Sequence, residues 1–94
     1  MIYIQLSLPY RNYNKVFIKN LFLYDNSIAV TYEVKNDSLT LFEKTFTINS
    51  NESKFNEILL SKPNINLSVI DNIYKLVLEY MIEKNIETGT LEIV

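Results

Sequence analysis

The chain contains no cysteine, no histidine and no tryptophan, and only one glycine and two prolines. Each absence removes a class of chemistry. Without Cys there is no disulfide framework, no thiol nucleophile and no cysteine-ligated metal site. Without His the commonest general base and the commonest metal ligand are missing, and neither a Ser-His-Asp nor a Cys-His set can be assembled. A Ser-Lys pair remains formally open, but no spacing marks one. A single glycine cannot build a G-x-x-x-x-G-K-[ST] loop or a G-x-G-x-x-G fingerprint, so the usual phosphate cradles are excluded. The scarcity of Gly and Pro also excludes collagen-like and linker-type chains. No stretch approaches the ~18 consecutive apolar residues of a membrane span. Met1–Leu8 has no basic region and alternates apolar with polar residues, unlike a signal peptide. An intracellular, cytoplasmic location is therefore expected, and in it the Asn-x-Ser triplets at Asn36, Asn51 and Asn66 carry no glycosylation meaning.

What is present suits one small domain. The 94 residues are 48% hydrophobic and 21% charged, a balance that supports a packed core and argues against disorder. Residues 1–94 are read as a single α+β domain. The net charge of −2 is too small for the basic footprint of a nucleic-acid binder or the dense carboxylates of a DNA mimic. The charge is unevenly spread. Arg11, Lys15 and Lys19 make residues 1–24 basic, while Asp71, Glu79, Glu83, Glu87 and Glu92 make the C-terminal segment acidic. That polarity solvates the surface or orients a partner.

Hydrophobic periodicity orders the elements. Ile2, Ile4, Leu6 and Leu8 alternate with Tyr3, Gln5 and Ser7, the pattern of a half-buried strand that Pro9 ends. Residues 9–14 read as a polar loop. Residues 15–24 are apolar on both sides, predicting a central strand covered on both faces or one whose alternation breaks at a bulge near Asn20. After the Asp25-Asn26 turn, Ile28, Val30, Tyr32 and Val34 point inward from the clearest strand in the chain. After Asn36-Asp37-Ser38, Leu39–Ile48 forms another, with Thr40, Phe42, Lys44, Phe46 and Ile48 on its more apolar face. Ser50 or Asn51 caps a short helix carrying Phe55, Ile58 and Leu59, which Pro63 closes. Ser68-Val-Ile-Asp71 is a capping-box-like start to a helix running to about Asn85. Ile70, Ile73, Tyr74, Val77, Tyr80 and Met81 form its apolar stripe, widened by Val69, Leu76, Leu78 and Ile82. Gly89 stands where a turn with positive φ is expected, and Thr90–Val94 reads as a last strand.

The order β-β-β-β-α-α-β predicts an antiparallel sheet of four to five strands with two helices on one face, the last strand joining beside the first or adding to an edge. The long helix is apolar nearly all round. It needs cover on a second side, from the short helix or from a second copy of the chain.

Two clusters of side chains are candidates for function. Glu79 and Glu83 share a helical face with Asp71 and Lys75, and two carboxylates at that spacing can hold a hard cation such as Mg²⁺; a solvated helix face explains them equally well. Glu33, Glu43 and Lys44 are strand residues expected to face outward. Tyr10, Arg11, Tyr13 and Lys15 interleave aromatic and basic residues, with Asn12 and Asn14 between them. Such a segment suits protein recognition, where Tyr and Arg dominate binding energy, or single-stranded nucleic acid, where aromatics stack bases and cations hold phosphates. Lys19 extends the strip, with Phe17 inside it, if residues 15, 17 and 19 share a face. The plain alternative is that the tyrosines fold back on the sheet edge.

The expectation is a non-enzymatic protein-binding module that acts by steric occlusion, with Tyr10, Arg11, Tyr13 and Lys15 as contact residues and no catalytic, metal or cofactor site. Its partner is another protein, and a homodimer fits the wide helix. By size and composition alone, small proteins of AT-rich phages and mobile elements are alike, among them anti-CRISPR inhibitors of host defence. A nucleic-acid-binding module using the same segment and a structural homo-oligomer subunit are the competing classes.

Overall fold

Alternating apolar and polar residues turn four consecutive segments into a meander, and the remainder of the chain returns to the first of them. The computed structural model describes residues 1–61 and 67–94. It contains β1 (Ile2–Tyr10), β2 (Tyr13–Leu23), β3 (Ser27–Asn36), β4 (Leu39–Asn49), α1 (Ser53–Leu59), α2 (Val69–Glu83) and β5 (Gly89–Ile93). The strands form one antiparallel sheet in the order β4-β3-β2-β1-β5. This is the α+β architecture that the sequence pattern predicts, with β5 beside β1.

Both helices pack on the same face of the sheet. Toward one side, Ile2, Ile4, Leu6, Val16, Tyr32 and Val34 meet Leu78 and Met81 of α2. Toward the other, Ile28, Val30 and Ile48 meet Phe55 and Ile58 of α1 and Val77 and Tyr80 of α2. Each such aliphatic side chain contributes roughly 2 kcal/mol through burial. α1 thus covers part of the second side of α2 within the chain, while Val69 and Ile70 in the first turn of α2 stay exposed. The expected face of β4 is observed from Phe42 on: Phe42, Lys44, Phe46 and Ile48 stand opposite Val34, Tyr32, Val30 and Ile28, while Thr40, past a register shift, pairs with Lys35. Lys44 interrupts that row by lying over the Phe42 ring, its ammonium 4.9 Å from the centroid.

Several local expectations are corrected. β1 continues through Pro9 to Tyr10, and its pairing with β2 shifts register between Gln5 and Tyr10. That irregularity interrupts the ladder where Pro9 has no N–H to offer. It also takes Leu8, 85% exposed, off the inward side it shares in the sequence pattern. β2 is central but has helices on one face only. Its doubly apolar sequence comes from the bulge: pairing shifts between Ile18 and Asn20, so Leu21 stands opposite Val30 and Phe22 opposite Ala29. α1 starts at Ser53 with Glu52 as N-cap, later than Ser50 or Asn51. Ser68 Oγ accepts from the Asp71 N–H at 3.1 Å, the serine half of the expected box. Pro63 lies outside the described residues.

Gly89 is needed for a different reason from the one the sequence suggests. It has no positive φ; Asn85, at φ 56, makes the turn after α2. A Cβ at residue 89 would lie 2.1 Å from the Gln5 carbonyl oxygen and 2.8 Å from Ile4 Cγ2. The glycine permits β5 to approach β1.

Candidate functional site

The segment singled out in the sequence is a tight hairpin apex rather than a loop over residues 9–14. Tyr10 pairs with Tyr13, and Arg11 and Asn12 make the turn. Arg11 adopts φ 58, the left-handed region that side chains other than Asn and Asp seldom occupy; it costs about 1–2 kcal/mol. The tyrosines fold back. The Tyr10 ring meets Phe42 edge-on at 5.2 Å, and its hydroxyl donates to Glu87 Oε1 at 3.0 Å. Tyr13 packs against the core. Tyr10 still remains 40% exposed, and with Arg11, Tyr13 and Leu41 (45% exposed) it lines an open depression. Among the described residues the Arg11 guanidinium forms no ion pair. Leu41 escapes the sequence reading because it sits at a register shift, between the pairs Val34–Phe42 and Lys35–Thr40.

Lys15 does not join this group. It lies on the open face of the sheet, its ammonium 5.2 Å from the centroid of the Tyr3 ring. That face carries a Tyr3–Phe17 ring pair at 5.4 Å, with Lys35 5.8 Å from the Phe17 centroid. Its cations are largely answered: Lys19 pairs with Glu43 at 2.6 Å and Lys35 with Glu33 at 3.7 Å. Glu92 stands opposite Tyr3 in the register. Three lysines and three glutamates leave no basic strip.

Glu79 and Glu83, the carboxylates with metal-like spacing, are engaged by a cation from the chain itself. Lys54 of α1, only 7% exposed, brings its ammonium to 3.5 Å from Glu79, 3.6 Å from Glu83 and 3.3 Å from Glu57. Lys75 adds a bond to Glu79 at 3.3 Å. Burial alone would lower the Lys54 pKa, but the hydrogen bond it donates to Glu57 and the charges of Glu57, Glu83 and Glu79 outweigh it and hold it above its ordinary value. Sequence spacing reveals the two glutamates on one face but not the lysine a neighbouring helix places among them.

Glu87 is the residue that sequence reasoning missed. The chain leaves α2, turns at Asn85 and is pinned by the Ile86 N–H on Met81 O at 2.9 Å and the Ser7 N–H on Thr88 O at 2.9 Å. Glu87 is thereby carried under β1 and becomes 5% exposed. Its carboxylate accepts from Tyr10 through Oε1 and from Tyr32 through Oε2, the latter at 2.7 Å. Burial first, then the bond to Glu87, push both tyrosine pKa values above the ordinary phenol range.

Compared with protein-family models, curated proteins and solved structures, the chain matches none.

Proposed function

We propose that the protein is a non-enzymatic binding module that occupies a surface of a partner protein through the β1–β2 hairpin apex. The observation carrying this reading is Arg11, held in a strained backbone conformation at an exposed tip where glycine or asparagine would sit without cost. Strain retained at a surface position points to a role for the side chain itself. Around it, Tyr10, Tyr13 and Leu41 supply an aromatic and aliphatic floor, the composition of binding hot spots. The flanking tyrosines are anchored to Glu87 and the core, so the apex is presented with little ordering cost on association. The balanced charges of the open sheet face weigh against the nucleic-acid alternative, which needs unpaired cations along a strip.

Arg11→Gly tests the reading without the ambiguity of unfolding. Gly relieves the positive φ, so the variant gains about 1 kcal/mol in stability by urea denaturation. Cross-linking from the native host should recover a protein partner with the wild type and lose it with Arg11→Gly and with Leu41→Asp. Equal recovery by all three forms removes the apex from the contact.

A further inference from the structure

Two charged residues are buried among the described residues, Lys54 and Glu87. The fold treats them unequally. Lys54 has three carboxylates within 4 Å. Glu87 has no ammonium or guanidinium at ion-pair distance among the described residues. Among the described residues its carboxylate accepts from two phenol hydroxyls, one on each oxygen. A carboxylate offers about four acceptor positions, so roughly half its capacity is unused. Buried charge without a counter-charge is costly.

Beside it lies a pocket of about 460 Å³ that Glu87 and Tyr10 help to line, together with Leu6, Leu8, Pro9 and Ile86. The wall is mostly apolar, with Ser7 and Thr88 adding polar groups, and its one carboxylate is that of Glu87. The pocket lies along the stretch of β1 that departs from regular pairing with β2 after Gln5. We propose that this pocket is a binding site for an organic ammonium, its charge set against Glu87 and its hydrocarbon on Leu6, Leu8, Pro9 and Ile86. The ligand supplies the counter-ion that the fold withholds. A small free amine and a lysine side chain on another polypeptide present the same chemistry. The site is separate from Arg11 and stands or falls independently of the apex reading.

The experiment is an NMR titration of the full chain with n-butylammonium chloride, using 1-butanol as the uncharged control. Saturable shifts are expected at the amides of Leu6–Tyr10 and Ile86–Thr88 with the amine and not with the alcohol. Glu87→Gln should weaken the amine by about tenfold or more, the scale of a lost charge-assisted bond. Should that variant not fold, Leu8→Lys is the second test. Its surface lysine places a tethered ammonium at the pocket and should abolish the titration, with Leu8→Met as the neutral control. A parallel arm uses Nα-acetyl-lysine amide and a lysine-containing peptide. Binding to the peptide at least tenfold tighter than butylammonium assigns the ligand to a partner's lysine; equal binding assigns it to a free amine. No saturable shift, equal shifts with butanol, or undiminished binding by Glu87→Gln or Leu8→Lys overturns the proposal.

Discussion

The Tyr32 hydroxyl donates to Glu87 Oε2 at 2.7 Å, joining the buried face of β3 to the segment that leads into β5. The bond spans 55 residues of sequence and satisfies a carboxylate withdrawn from water. Tyr32→Phe preserves the ring, which lies tilted against Phe46 at 6.0 Å, and removes only the donor. We expect a loss of about 1.5–3 kcal/mol in urea denaturation, the range for a hydrogen bond to a buried charge. Tyr10→Phe should cost less, because Tyr10 is more accessible to solvent. The double variant should cost more than the sum, since either donor partly makes up for the loss of the other at one shared carboxylate. Full additivity would show that the two hydroxyls act separately.

The tyrosines also set an alkaline limit. Their donating form is the neutral phenol. An unfolded tyrosine ionises near 10.0, whereas Tyr80 is raised to about 12, by burial first and then by the Glu52 carboxylate beside it. Tyr32 is raised further, by burial and by Glu87. Groups whose pKa is higher in the folded state stabilise fully below the unfolded value and less as the pH climbs toward the folded one. Stability should therefore hold up to pH 10 and fall between 10 and about 12. Lys54, also raised, acts in the same direction above the ordinary lysine value of 10.5. Urea midpoints followed across this window should decline while tyrosinate absorbance rises; a flat midpoint would contradict the assignment.

Lys54→Met should destabilise the chain by about 2 kcal/mol, although methionine matches the lysine stem in bulk. The loss comes from Glu57, Glu79 and Glu83, which would face one another with only Lys75, on Glu79, left as a cation. Their partial exposure keeps the figure below that of a fully buried pair. Added salt should restore part of the difference by screening the carboxylates. Guanidinium-free denaturation at two ionic strengths measures both effects.

The strands were legible because their cause is local. Ile28, Val30, Tyr32 and Val34 alternate without interruption, and all four are buried. Where two strands lose register the pattern misleads: Leu8 keeps the inward phase in sequence and leaves it in space, and the mixed faces of residues 15–24 conceal a single bulge. The apex residues Tyr10, Arg11 and Tyr13 form a legible cluster because they are neighbours in the chain, whereas Lys15, which strict alternation would put on the side of Tyr13, lies over Tyr3 on the open face. Glu87 carried no signal, since its partners are 77 and 55 residues away. Gly89 stands out in sequence as the single glycine, but its place is set by the closeness of Gln5 rather than by a positive φ, and that closeness exists only once β1 pairs with β5.

That pairing has a consequence for the chain as it is made. β1 through β4 can zip up as successive hairpins while synthesis proceeds, but the outer border of β1 has no companion until residues 89–93 emerge. Until then Ile2 to Leu6 offer vacant peptide groups to any extended segment nearby. A nascent chain stalled within α2 would be an adhesive fragment, and pairing with residues 89–93 moves the open border from β1 to the five-residue β5.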